Sequence, residues 1–167
     1  MSAFIYARRT FSSERENMEL LDLRFSEKTL KILKGMAGQV FEKYRCDPSI
    51  FHPVYLLPVG IYAGGKCYII TQKITGRAAG GKKTDVLEWI FREAEEKEIH
   101  SSRPDVVQED HALQKEIKEV RIINEKKTLS RCDKAEYRVY LTKAVRFIFE
   151  KGYLQIRKPV YFSPFLN

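Results

Sequence analysis

Basic side chains near the C-terminal end of the chain have a spacing that could bind phosphate. Four residues follow one another at intervals of four, namely Lys134, Arg138, Thr142 and Arg146, and Arg131 comes just before them. Residues four apart lie on one face of an α-helix, so the spacing predicts a basic stripe with a hydroxyl group near its centre. A helix that lies along phosphates or in a major groove uses such a stripe. The alternative is the solvated polar face of a helix that packs into the core.

A second basic segment, GRAAGGKKT at residues 76–84, contains glycines and lysines in a suggestive order. The order resembles the Walker A loop, whose backbone N–H groups and lysine hold phosphates at a helix N-terminus. Lys83 stands where that loop has the hydroxyl residue that binds magnesium, and Thr84 comes one place later. We therefore interpret Arg77, Lys82 and Lys83 as a basic loop that contacts phosphates of a nucleic acid.

Pro104-Asp105, followed by Glu116 and Lys118, resembles the PD-(D/E)xK arrangement of nucleases. In those enzymes two carboxylates bind magnesium and the lysine helps to activate water. Such residue types are abundant in this chain, so a chance match is easily obtained. Asp105, Glu116 and Lys118 are therefore kept as candidates for a metal-dependent nuclease, while the sequence predicts neither a bound metal nor a cofactor.

Hydrophobic periodicity predicts the elements that position these residues. Ser26 is a suitable N-cap for a helix, and Ser130 is suitable for the longest helix, which Gly152 ends. Two apolar runs joined by a glycine-containing turn predict a β-hairpin. The predicted helices cover residues 26–46, 84–100, 109–119 and 130–151, the hairpin covers residues 53–75, and the C-terminal strand covers residues 152–162. Whether EVRII at residues 119–123 is a strand or continues the third helix stays open.

These elements predict an α+β fold in a single domain over residues 1–167. About four helices would pack on a small antiparallel sheet that is built around the central hairpin. The chain has 167 residues, of which 44% are hydrophobic, which is enough to bury one core. No apolar run is long enough to cross a bilayer, so we expect no membrane insertion.

The distribution of charge is more informative than the net charge of +8. Residues 1–83 carry 14 Lys and Arg against 7 Asp and Glu, residues 84–111 carry 3 against 9, and residues 112–167 carry 13 against 6. Two basic segments that meet in the fold would form a surface suited to phosphate backbones. The three cysteines have no CxxC spacing, which indicates reduced thiols and a cytoplasmic setting.

We interpret the chain as a small basic accessory or regulatory protein that binds DNA or RNA, of a phage, plasmid or defence-related type. It is more consistent with a non-enzyme than with an enzyme. The first alternative is a protein-interaction module or inhibitor, in which the predicted acidic helix from Asp85 to Glu98 would form part of the contact surface. The further alternative is the metal-dependent nuclease.

Overall fold

A computed structural model describes residues 4–6, 20–46, 56, 58–79, 82–100, 108–130, 136–157 and 160–165. In these residues the chain is mostly β, with two short helices. The helices are α1 (Glu27–Lys34) and α2 (Glu96–His100). The strands are β1 (Phe4–Tyr6), β2 (Leu20–Leu23), β3 (Val40–Cys46), β4 (Val59–Ala63), β5 (Lys66–Ala79), β6 (Lys82–Ala94), β7 (Glu109–Glu116), β8 (Glu119–Ser130), β9 (Glu136–Ile148), β10 (Tyr153–Ile156) and β11 (Tyr161–Ser163).

The predicted α+β class with about four helices is therefore wrong. Strands occupy most of the ranges predicted as the second, third and fourth helices. The predicted hairpin is present from Val59 onward, where β4 and β5 pair across Gly64 and Gly65. Both glycines have positive φ, +58° and +76°, which a side chain would disfavour. The predicted C-terminal strand forms two strands, β10 and β11, that pair antiparallel.

Strand β9 is the centre of sheet 1, which contains β1, β2, β8, β9, β10 and β11. One edge of β9 pairs with β8 along nearly its whole length. The other edge pairs first with β2, in parallel, and then with β10, antiparallel. Sheet 1 therefore branches beside β9, with β1 next to β2 and β11 next to β10.

Sheet 2 is antiparallel and has the strand order β6-β5-β4-β3-β7. Its β5 and β6 form a long ribbon, which runs from the Cys67–Ala94 pair to the Ala79–Lys82 pair. Strand β4 pairs only with the first five residues of β5, up to Ile70. The remainder of the β5–β6 ribbon therefore extends past β4.

The core lies between the two sheets. Phe41 of β3 packs edge-on against Phe147 of β9, with ring centroids 5.1 Å apart, and against Phe149 at 6.0 Å. Trp89 of β6 is buried and donates its indole N–H to the backbone carbonyl of Thr142 in β9. Aromatic packing and one buried hydrogen bond thus connect sheet 2 to the central strand of sheet 1.

A β-bulge divides β9 at Lys143. Ile123 pairs with Ala144, but its neighbour Asn124 pairs with Thr142, so Lys143 is the extra residue. Successive residues of a strand face opposite sides, and one extra residue exchanges the two sides. Residues of β9 before the bulge therefore share a face with residues of opposite parity after it.

Residues 136–148 form a strand because their composition favours one. Seven of these 13 residues are β-branched or aromatic, and such side chains pack well on a pleated surface. An interval of four fits a helix but is also a multiple of the strand period of two, so the basic spacing does not separate the two structures. The same preference applies to VLEWIF at residues 86–91, which lies in β6.

Helix α1 begins as predicted but is shorter. Ser26 is its N-cap and accepts a hydrogen bond from the backbone N–H of Thr29. The helix ends at Lys34 before Gly35, and Gly38 then adopts a φ of +90°. Residues 35–39 of the predicted helix form a turn, and the rest, which contains aromatic residues, forms β3.

Replacement of Phe41 by alanine tests the packing between the sheets. Phe41 is fully buried, so Phe41→Ala should lower the free energy of unfolding by about 3–5 kcal/mol, measured by urea denaturation. Phe165→Ala is the matched control, because Phe165 is 76% exposed and its truncation should change stability by less than about 0.5 kcal/mol. Equal effects of the two substitutions would contradict the packing of the sheets through Phe41.

Candidate nucleic-acid interface

The basic residues of the glycine-rich segment lie at the end of the β5–β6 hairpin. Arg77 is opposite Thr84, and the next two pairs are Ala78 with Lys83 and Ala79 with Lys82. The helix that would follow a Walker A loop is not present, because strand β6 follows the glycines. The three basic residues nevertheless come together within the last three pairs of a two-stranded ribbon.

A second concentration of basic residues lies on the β8–β9 hairpin. Arg138 pairs with Thr128, and the next pairs place Lys127 and Lys126 opposite Val139 and Tyr140. Lys126 and Lys127 are exposed, and Arg138 is half-buried. The other two members of the predicted stripe, Arg131 and Lys134, lie outside the described residues.

The ring of Tyr140 contacts two cations, one from this hairpin and one from the segment after β2. The guanidinium carbon of Arg24 lies 4.7 Å from the centroid of its ring, and the ammonium nitrogen of Lys126 lies 4.6 Å from the same centroid. The two cations come from β8 and from the segment that follows β2, the two strands that flank this half of β9. Both distances are within the range of cation–π attraction. We call Asp22, Arg24, Lys126 and Tyr140 the Tyr140 cluster.

Asp22 holds the guanidinium of Arg24 in place. Nε of Arg24 donates to Oδ1 of Asp22 at 2.9 Å, and Nη2 donates to Oδ2 at 2.6 Å. Only 5% of Asp22 is exposed, so its charge needs this partner. The hydrogen bond from the Arg24 side chain lowers the pKa of Asp22 below its usual value. The carboxylate therefore remains ionised, and the cluster carries two cations against one anion.

Arg138 is next to the Tyr140 cluster, and Arg146 is not. Arg138 and Tyr140 are two residues apart on one strand, so they share a face. Arg146 lies beyond the bulge, where residues of the same parity face the opposite side of sheet 1. The predicted single stripe through Arg138 and Arg146 is therefore wrong, and the two residues belong to different surfaces.

Arg146 is fixed by its neighbours in β10. Its Nε and Nη2 atoms both donate to the side-chain oxygen of Gln155, at 3.2 and 2.6 Å. Its guanidinium carbon lies 4.4 Å from the centroid of the Tyr153 ring. This arrangement orients the guanidinium without neutralising its charge, because the amide of Gln155 carries none.

The nuclease candidates do not form a metal site in the described part of the chain. Glu116 and Lys118 lie at the turn between β7 and β8, where the ammonium nitrogen and Oε2 are 3.2 Å apart. Both side chains are about half exposed, and Asp105 lies outside the described residues. Among the residues that the structure describes, no three His, Cys, Asp or Glu side chains are grouped to hold a metal ion.

No protein-family model, curated protein or solved structure matches this chain. Within the described residues no helix has the length and apolar character to cross a membrane. The surfaces of this protein are therefore interpreted from their own geometry.

Sequence reasoning missed Asp22 and Arg24. A signal was present, because LLDLRF at residues 20–25 alternates apolar and charged residues with a period of two. That alternation indicates a strand with an acid and a base on one face. Their meeting with Tyr140 depends on the parallel pairing of β2 with β9, whose paired residues are 118 positions apart in the chain.

Asp22→Asn tests the cluster and should have a pH-dependent effect on stability. Folding lowers the pKa of Asp22, so its ion pair contributes its full stability above the pKa of the unfolded chain, about 3.9. That stability is lost as the pH falls through the pKa of the folded protein. We expect Asp22→Asn to cost about 1–3 kcal/mol at pH 7 in urea unfolding. The difference from wild type should shrink below about pH 4.

Asp110→Asn is the matched control for this measurement. Asp110 also binds two cations, Lys43 at 3.0 Å and Arg45 at 2.9 Å, but its side chain is 38% exposed. Exposed ion pairs contribute about 0–1 kcal/mol, so the control should lose less stability. An Asp22→Asn variant as stable as Asp110→Asn at pH 7 would contradict the structural role of Asp22.

Proposed function

We propose that this chain is an accessory or regulatory protein that binds nucleic acid through two basic β-hairpins. The observation that carries the proposal is the position of Arg77, Lys82 and Lys83 in the last three pairs of the β5–β6 ribbon. A two-stranded ribbon fits into the major groove of a duplex, and basic residues at its end can contact the flanking phosphates. The net charge of +8 supports the same class of partner.

The β8–β9 hairpin supports the proposal with side chains of defined geometry. Lys126 and Arg24 are held on the Tyr140 ring, and Asp22 further restrains Arg24. Cations that are ordered before binding lose less conformational entropy when they contact phosphates. Arg138 on the same face and the exposed Lys127 on the other face add charge to this hairpin.

A cytoplasmic location belongs to the same proposal. Cys67, in β5, is a free thiol. Reduced thiols are the usual state in the cytoplasm, where DNA and RNA are accessible to an accessory protein.

The proposal is tested by removal of charge from the β5–β6 hairpin. We expect the triple variant Arg77→Ala, Lys82→Ala, Lys83→Ala to bind duplex DNA on the order of tenfold more weakly at low salt. The slope of log affinity against log salt should fall by up to about 2.7, since each phosphate contact contributes about 0.9. Both quantities are measured by fluorescence anisotropy, in which nuclease-treated protein is titrated into labelled DNA or RNA.

The matched control removes the same charge from another surface. Lys28 and Lys31 on α1 and Lys66 in β5 are exposed, and their triple replacement by alanine also removes three positive charges. If both triple variants lose affinity equally, net charge alone accounts for binding and the hairpin has no special role. If the wild-type protein binds neither DNA nor RNA at low salt, the proposed function is wrong.

A further inference from the structure

The last strand of sheet 1 carries exposed aromatic side chains. Tyr161 is 51% exposed and Phe165, just after the strand, is 76% exposed. They are the two most exposed large hydrophobic side chains among the described residues. Single exposed apolar side chains are common on protein surfaces, so it is the groups beside Tyr161, rather than its exposure alone, that indicate a binding site.

Tyr161 belongs to a row of side chains that crosses four strands of sheet 1. Arg121 of β8 pairs with Arg146 of β9, Arg146 pairs with Gln155 of β10, and Gln155 pairs with Tyr161 of β11. Directly paired residues share a face of the sheet. The row therefore brings an exposed aromatic ring and two guanidinium groups to one surface.

Arg146 is the preorganised cation of this row. Gln155 and the ring of Tyr153 hold it from two sides, and the Tyr153 and Tyr161 rings are 6.1 Å apart. Among the described residues no carboxylate lies within salt-bridge distance of Arg146, whereas Arg121 is neutralised by Glu119 at 3.1 Å. Arg146 thus retains N–H donors and a full positive charge for an anionic ligand.

The charges near the row favour an anionic ligand over a neutral or a basic one. Arg157, two residues beyond Gln155 in the chain, is exposed, and so is Lys151 in the turn between β9 and β10. Glu150 is the exposed acid in that turn. Cations beside exposed aromatic rings are the combination that proteins use to bind single-stranded nucleic acids.

We propose that this face of sheet 1 binds single-stranded nucleic acid, with a base stacked on Tyr161 and a neighbouring phosphate on Arg146. We call Arg146, Tyr153, Gln155 and Tyr161 the stacking platform. The inference deepens the proposed function, on which it rests for the class of ligand, and it specifies unpaired bases. Tyr161 and Arg146 are two strands apart, roughly 10 Å, a distance that an extended dinucleotide spans.

Unpaired bases follow from the chemistry of the exposed ring. A base in a duplex has both of its faces covered by neighbouring pairs, so it cannot stack on a side chain without leaving the helix. A base in a single strand offers a free π-face, and aromatic residues on a sheet bind RNA in this way. The β5–β6 and β8–β9 hairpins need only phosphates, which both kinds of nucleic acid provide.

The test compares single strands with a duplex for variants of Tyr161. Labelled oligouridine, oligodeoxythymidine and a DNA duplex, each about 12 nucleotides long, match the usual site size and are titrated in fluorescence anisotropy. Tyr161→Ala should weaken binding of both single strands about 5- to 100-fold and leave the duplex unchanged. Tyr161→Phe keeps the ring and should retain wild-type affinity for every probe.

Two further measurements separate stacking from charge. An abasic oligonucleotide of the same length keeps the phosphates, so wild-type affinity for it should fall to the level of Tyr161→Ala on the normal strand. Arg146→Gln should reduce the salt slope for single strands by about 0.7, the value of one phosphate contact. Ile32→Ala removes an exposed apolar side chain on α1, 42% exposed, and should change no affinity.

The outcomes distinguish this inference from the proposed function. If wild-type protein binds no nucleic acid at low salt, both fail. If it binds and the hairpin triple variant weakens binding, but Tyr161→Ala matches wild type on single strands, only the stacking platform is overturned. Equal loss on duplex and single strand by Tyr161→Ala, or full affinity for the abasic strand, also overturns it. Thermal unfolding of each variant shows that the fold is retained.

Discussion

Strand β9 hydrogen bonds to three other strands, and most of sheet 1 depends on that pairing. One edge of β9 pairs with β2 and then with β10, so an early and a late segment of the chain meet along a single strand. The same strand receives the indole N–H of Trp89 and the ring of Phe41 from sheet 2. Damage to β9 would therefore disturb both sheets, since among the described strands no other pairs with as many neighbours.

The bulge at Lys143 gives β9 two chemically different surfaces. Before it, Arg138 and Tyr140 share a face with Thr142, and after it that same face continues as the apolar residues Val145 and Phe147. Arg146 is turned to the reverse side, toward Tyr153 and Gln155. One additional residue thus converts a linear run of charge into separate cationic sites at the two ends of the strand.

Part of this architecture is accessible from sequence. The hairpin at Gly64 and Gly65 and the N-cap at Ser26 rest on local chemistry, where a turn or cap requires particular residue types. The sequence places Arg77, Lys82 and Lys83 in a loop before a helix, whereas they lie in the last pairs of the β5–β6 ribbon. Local rules fail for residues 136–148, because charges at intervals of four fit both a helix and a strand. β-branched and aromatic content was the better guide there.

The candidate sites depend on contacts that no local pattern defines. Asp22 meets Tyr140 only because β2 pairs in parallel with β9, and Arg146 meets Gln155 through a turn that includes Gly152 with a φ of +84°. The bulge has no marker in the sequence, since Lys143 is an ordinary exposed lysine. The pairing register of each strand, and the side of the sheet that each residue faces, are set by the packing of the two sheets. They can be predicted only when both packed strands are known.

Trp89 gives the molecule an internal optical probe. It is the one tryptophan of the chain, it is 1% exposed, and its N–H is bonded across the core to the carbonyl of Thr142. Indole emission depends on the polarity around the ring, so separation of the sheets would shift it toward longer wavelength. The intrinsic fluorescence of the unlabelled protein therefore reports the contact between the sheets. It shows whether that contact is kept when a ligand binds at the hairpins or at the stacking platform.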